Sequence, residues 1–245
     1  MTDGLDSGER PPMQPNPSLN GAARAAVQAR SSLAASAHCS LVEKEDLIVP
    51  TTLQFDAEVR RLTNEHPDAR PFLCQGMPYP TDVMLVGLNP GLAVPFWRYW
   101  NAEEGCDRSG WLRAYRNARP QIGPMRRRIE LLFDALSGYR CVESNLYPLP
   151  SRRLLDLPRA LRSTALFDYL LETLRPRLLF VHGTEAVAHL RTLSSKHLPT
   201  DQPTSIEYKS WSGIVYATRH LSYFGSDEDI VSLGAKLRAV LASSE

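Results

Sequence analysis

The chain has 245 residues, 28 Lys and Arg against 27 Asp and Glu, a net charge of +1, and 43% hydrophobic residues. This balance is ordinary for a soluble globular protein and excludes wholesale disorder and a histone-like basic binder, though not a local basic face. No apolar run approaches the roughly 18 residues a membrane span needs. Four cysteines, Cys39, Cys74, Cys106 and Cys141, form no C-x-x-C pair; that argues against a zinc ribbon or a disulfide scaffold and for reduced thiols in an intracellular protein, cytoplasmic or nuclear.

Residues 1–40 carry small and polar residues with Pro and no aromatics. Such a segment cannot bury enough apolar surface to offset its ordering entropy, so a mobile tail is expected, followed by one domain over 41–245. It has no apolar core of a secretory signal, and its acidic start (Asp3, Asp6, Glu9) argues against a transit peptide. A helix is expected over 55–63, where Phe55, Val59 and Leu62 share a face. The nearly continuous apolar run 82–88 reads as a strand buried on both faces. Over 124–136, Ile129, Leu132, Phe133 and Leu136 recur at helical spacing, with Gly138 to end the helix. A second strand is expected over 141–146, a helix over 161–174 closed by Arg175-Pro176, and a third strand over 178–181. A helix then covers 184–193, a fourth strand 213–218, and a last helix 226–241, opened by the S-x-x-D pair Ser226 and Asp229. Alternating strands and helices predict an α/β fold: a three-layer α/β/α sandwich around a central, mostly parallel four-stranded sheet.

Sheets of this kind present their site beyond the carboxyl ends of the strands. Asn89-Pro90-Gly91 follows the first strand, Asn145-Leu146-Tyr147-Pro148 ends the second, His182-Gly183-Thr184 the third, and Arg219-His220-Leu221-Ser222 the fourth. Each alone reads as an ordinary turn or a satisfied polar residue. Together they place two Asn and a His at the ends of three different apolar strands.

That set resembles the uracil-DNA glycosylase superfamily. Gly87-Leu88-Asn89-Pro90-Gly91 is similar to the G-x-N-P-G motif of its mismatch-specific and single-strand-selective branches. Arg219-His220-Leu221-Ser222 is similar to the second motif, with Leu221 where Pro is usual. Glu143-Ser144-Asn145-Leu146 resembles the strand whose Asn reads the base. Val94-Pro95-Phe96 resembles the segment that supplies a stacking Phe, with Trp97 and Trp100 as alternatives. The resemblance covers roughly residues 72–241. It implies a monofunctional DNA glycosylase that removes uracil or a related deaminated base in base excision repair. It further implies base binding by Gly87, Leu88, Phe96 and Asn145, DNA contacts by Pro90, Gly91, Arg219 and Ser222, and catalysis by Asn89 and His220. The cysteines lack the close pair of the iron–sulfur branches, so no cluster and no other cofactor is expected.

The chemistry suits these residue types. Cleaving an N-glycosidic bond leaves negative charge on the base, and the resemblance assigns His220 as donor to that oxygen. An amide does not titrate, so Asn89 orients the attacking water rather than deprotonating it. Asn145 offers both an acceptor and a donor to a pyrimidine edge, which separates uracil from cytosine. Tyr223 and Phe224 read either as wedges that fill the vacated stack or as core residues. Residues 98–162 hold 13 Arg against 7 acids. This region, with Arg126, Arg127 and Arg152, reads either as a phosphate-contacting surface or as a solvated helix face. No Lys stands at a strand end, so no Schiff-base step is expected. His182 and His189 lack partner ligands for a metal. The expected partner is damaged or single-stranded DNA, with no membrane, no metal and a monomeric chain. Two alternatives remain open: a glycosylase-like DNA-binding module without catalysis, and a small-molecule nucleoside or nucleotide hydrolase. Against the latter, the chain has no GxGxxG, no Walker loop and no G-x-S-x-G elbow.

Overall fold

The computed structural model describes residues 50–243; the tail expected over 1–40 lies outside them. Helix α1 (Thr52–Leu62) starts at Thr51, whose hydroxyl accepts from the Gln54 N–H while the Gln54 side chain accepts from the Thr51 N–H. Short strands β1 (Phe72–Leu73) and β2 (Gln75–Gly76) precede the apolar strand β3 (Val83–Gly87). Strands β4 (Trp100–Asn101) and β5 (Gly105–Asp107) lead into helices α2 (Arg108–Ala118) and α3 (Pro124–Ala135). Then come β6 (Cys141–Asn145), α4 (Ala165–Leu174), β7 (Leu178–His182) and α5 (Thr184–Ser194). Strands β8 (Pro203–Tyr208) and β9 (Trp211–Thr218) and helix α6 (Asp227–Ala242) complete the fold.

The α/β expectation holds, with one correction: the central sheet has six strands, in the order β1-β6-β3-β7-β9-β8. The four expected strands are its parallel centre. The two additions are antiparallel edges, β1 on β6 and β8 on β9. They escape a pattern reading for physical reasons. Strand β1 has two residues, and β8 starts on Pro203 and buries only Ile206. A separate small antiparallel sheet has the order β2-β5-β4. Helix α2 was also not expected. It has Gly110 in its first turn and is capped by Asp107, whose carboxylate accepts from the Gly110 N–H at 2.8 Å.

Alternation along the strands sorts the core into two layers. Val83, Leu85, Leu178, Phe180 and Tyr216 face Ile129, Leu132 and Leu136 of α3 and its C-cap, and Ile230, Leu233 and Leu237 of α6. On the opposite face Met84, Val86, Leu179, Val181 and Val215 cluster with Phe55 and Val59 of α1, with Leu166, Phe167 and Leu170 of α4, and with Leu190 of α5. Full burial of each such side chain contributes about 1.5–3 kcal/mol. Helices α3 and α6 approach closely because position 234 is Gly: a Cβ there would lie 2.4 Å from that of Ala135.

Candidate functional site

The chain lays down β3, crosses to β6 on one side, then returns past β3 to β7 on the other. The loops leaving β3 and β7 therefore diverge, and a crevice opens at the carboxyl ends between them. A cleft of about 320 Å³ lies there. It brings together Gly87, Leu88, Asn89, Gly91, Asn145, Arg126, Arg152 and His220 among the residues singled out from sequence. Arg70, Arg119, Glu143, Ser151, Arg153, His182 and Glu185 also line it.

The cleft floor follows from register. Gly87 is level with Asn145 on β6, and His182 is level with Thr218 on β9. Glycine at 87 is a close-approach requirement. A Cβ there would lie 3.1 Å from both Cε1 and Nε2 of His182 and 3.4 Å from Oδ1 of Asn145. The imidazole and the carboxamide therefore lean over the same glycine from opposite sides. Both residues are buried, and among the described residues Nδ2 of Asn145 and Nδ1 of His182 have no hydrogen-bond partner. Burial, followed by the neighbouring His220, pushes the His182 imidazole down to about 3, so the ring is neutral near pH 7.

Behind the floor, Glu143 projects on the same face as Asn145, two residues earlier on β6. Arg126 grips its carboxylate with two bonds of 2.6 Å, and Arg70 adds a third contact at 2.8 Å. Burial alone would raise the Glu143 pKa. The charges of Arg126 and Arg70 and the Arg126 hydrogen bonds outweigh it and hold the carboxyl at about 2. Arg126 also bonds Glu130 and lies over the Trp111 and Tyr115 rings. This corrects the reading of Arg126 as a surface phosphate contact: its guanidinium is a buried partner of Glu143. The three consecutive arginines point in three directions, as residues about 100° apart on a helix must. Arg127 is exposed and paired with Asp227. Arg128 donates to the carbonyls of Leu221 at 2.8 Å and Phe224 at 2.6 Å.

Those two carbonyls belong to the turn that carries His220, a 3-10 turn over Leu221–Tyr223. Leu221, which stands where the second motif usually has Pro, is fully buried in the core between α3 and α6 and anchors the turn from below. Nδ1 of His220 accepts from the Ser222 N–H at 3.3 Å and lies 2.6 Å from the Ser222 hydroxyl. With Nδ1 occupied as an acceptor, the proton of the neutral ring sits on Nε2. Burial lowers the His220 pKa, against the opposing pull of Glu185. The first-motif loop is also fixed. Asn89 Nδ2 donates to the carbonyls of Pro90 and Ser151 and to the Ser151 hydroxyl, at 2.8–3.0 Å. Its Oδ1 is the remaining acceptor.

A second correction concerns Phe96. It is fully buried, 5.0 Å from the Phe72 ring and 6.1 Å from the Trp100 ring, and does not line the cleft. The loop after Gly91 turns back into the core instead of over the site. The two alternatives also lie elsewhere. Trp97 donates its ring N–H to the His66 carbonyl, and Trp100 donates to Asp56. Beside the His220 turn, Tyr223 is 71% exposed, Phe224 is half-buried, and Arg219 lies 4.8 Å over the Phe224 ring. Pro90 is buried and Ser222 exposed.

Sequence reasoning missed roles for His182 and Glu143. The signal for both was a titratable residue in a strand expected at the centre of the sheet, which folding tolerates only with partners or a purpose. A larger groove, about 590 Å³, lies by Cys74, Arg108, Tyr139 and Cys141, where β6 begins. It lies away from the carboxyl-end crevice and from the unpartnered Asn145 and His182 atoms, and size alone does not choose a site. Among the described residues no group of three His, Cys, Asp or Glu could hold a metal ion, and no helix is long and apolar enough to cross a membrane. Comparison of the chain with family models and with curated proteins finds no match.

Proposed function

We propose that the cleft receives a single planar nucleobase, and more narrowly that the protein is a monofunctional DNA glycosylase acting on uracil or a related deaminated base. The observation that carries this reading is the buried Asn145 carboxamide. Its Nδ2 has no partner among the described residues, and it shares a cleft with a neutral His220 whose N–H is turned from Ser222. A buried carboxamide N–H without a partner costs about 1–3 kcal/mol, which a bound ring with a carbonyl at that place would relieve. The motif resemblance points the same way. In this reading a base turned out of its stack lies over Gly87. His220 Nε2–H donates to the base oxygen on which charge develops. The locked Asn89 amide offers Oδ1 to the attacking water. Among the described residues no Lys lines the cleft, and in this reading water is the nucleophile.

Base release from oligonucleotides carrying uracil, hypoxanthine or xanthine, single-stranded and paired, followed by alkaline cleavage, tests this. Wild type should release at least one of these bases, and His220→Ala should lose about 10²–10³ in rate. A second reading, a base-recognising module without hydrolysis, is favoured by one observation. Glu143 is consumed by two arginines, so it cannot act as a general base. Damage-dependent binding without release of any base would establish that reading.

A further inference from the structure

Hydrolysis as described leaves one feature of the cleft floor unused, the order of its polar atoms. Asn145 Oδ1 lies on the Gly87 side of its carboxamide, within 3.4 Å of the point where His182 Nε2 comes within 3.1 Å. Nδ2 is the farther of the two carboxamide atoms from that point. The tautomer of His182 follows from burial. Its Nδ1 is sealed in without a partner, and an orphaned lone pair is tolerated more readily than an orphaned N–H. The proton accordingly sits on Nε2, at the cleft. Read from β6 towards β7, the floor presents a donor (Asn145 Nδ2–H), an acceptor (Asn145 Oδ1) and a second donor (His182 Nε2–H).

We propose that His182 is a specificity-determining residue, and that with Asn145 it selects an imide edge, carbonyl–N–H–carbonyl, on the bound ring. This deepens the nucleobase reading and rests on it. Uracil, thymine and xanthine carry that edge. Hypoxanthine carries only its first two groups and would leave the His182 N–H facing a C–H. Cytosine and adenine mismatch at the first group. A ring amino group in place of the second carbonyl, as in guanine, would set donor against donor. Selectivity of this kind is steep, because a wrong ring buries an unpaired polar group. His220, farther out beyond β9 with its ring centroid 5.1 Å from that of His182, remains free for the chemistry assigned to it.

The test separates this inference from the glycosylase reading. The full chain is titrated with free uracil and with 4-pyrimidinone, which lacks the second carbonyl, and binding is followed by histidine imidazole NMR shifts. Uracil should bind at least tenfold tighter. In parallel, wild type should release uracil and xanthine at least tenfold faster than hypoxanthine from matched oligonucleotides. His182→Leu should collapse the uracil to 4-pyrimidinone ratio at least tenfold. His182→Gln, whose amide N–H reaches a similar place, should restore part of it; this rescue distinguishes recognition from a merely structural role. Selective uracil binding without base release from any oligonucleotide would overturn the hydrolysis and keep this inference. Equal affinity for the two rings, no uracil binding up to its solubility, or a ratio unmoved in a folded His182→Leu variant would overturn it.

Discussion

His182 and Glu143 make the protein acid-sensitive in two successive windows. In the unfolded chain a histidine takes its proton near pH 6.5, whereas folded His182 refuses it until about 3. The unfolded state therefore binds more protons between those values, and stability falls as pH drops from 6.5 towards 3. Glu143 acts in the same direction lower down. Its folded pKa of about 2 lies below the ordinary 4.5, so its contribution is full above 4.5 and is lost as pH falls through 2. Urea midpoints measured from about pH 7 to about pH 4 should decline, and His182→Leu should flatten that slope. A slope unchanged in the variant would show that folded His182 takes its proton as readily as the unfolded chain does. Glu143→Gln is expected to cost about 3–5 kcal/mol, because it leaves Arg70 buried without its anion and Arg126 with Glu130 alone. Equilibrium unfolding at neutral pH reads this directly.

At the scale of elements, helix α3 has a dual role. Its apolar face packs on the sheet and α6, while Arg126 and Arg128 brace the floor and the His220 turn. Arg128→Met removes two charge-assisted bonds to carbonyls and should destabilise by about 1.5–3 kcal/mol. It should also raise amide hydrogen exchange in residues 221–224 more than in the β3 strand; uniform exchange would deny Arg128 its role in the turn. Three of the four central strands, β3, β7 and β9, were legible as apolar runs closed by polar residues, and α3 because Ile129, Leu132 and Leu136 keep helical spacing. Asn89, Asn145 and His220 were legible as strand-end groups, and the structure places all three in one cleft. What escaped depends on partners distant in sequence. Nothing near Arg126 announces that Glu143 lies under it. Nothing near Phe96 announces the Phe72 and Trp100 rings that draw it inward. Strand β8 was unreadable because an edge strand with one buried residue has no alternation to show.

At the scale of the molecule, a near-neutral net charge conceals a basic rim. Arg119, Arg152 and Arg153 are exposed at the cleft mouth, although Arg153 is partly offset by Asp156 at 2.7 Å. If the partner is DNA, Arg119→Ala with Arg152→Ala should weaken binding about equally across sequences. The pair should also reduce the slope of log affinity against log salt by about 1 for each phosphate no longer neutralised. A slope unchanged from wild type would place the DNA path elsewhere. Exposed Tyr223 stands beside the same mouth, and Tyr223→Ala should reduce activity on duplexes more than on single strands if it fills a vacated stack.

The parallel centre of the sheet has a further consequence, for how the site is lost. Asn89, Asn145, His182 and His220 each follow or end a different strand, and no two are joined by a local hairpin. Every neighbouring pair is closed by a crossover of dozens of residues, so none is in place before the strands are paired. Such a site has no partly assembled form to fray into. Denaturant should abolish ligand binding at the same midpoint at which the β3 and β7 amides lose their exchange protection.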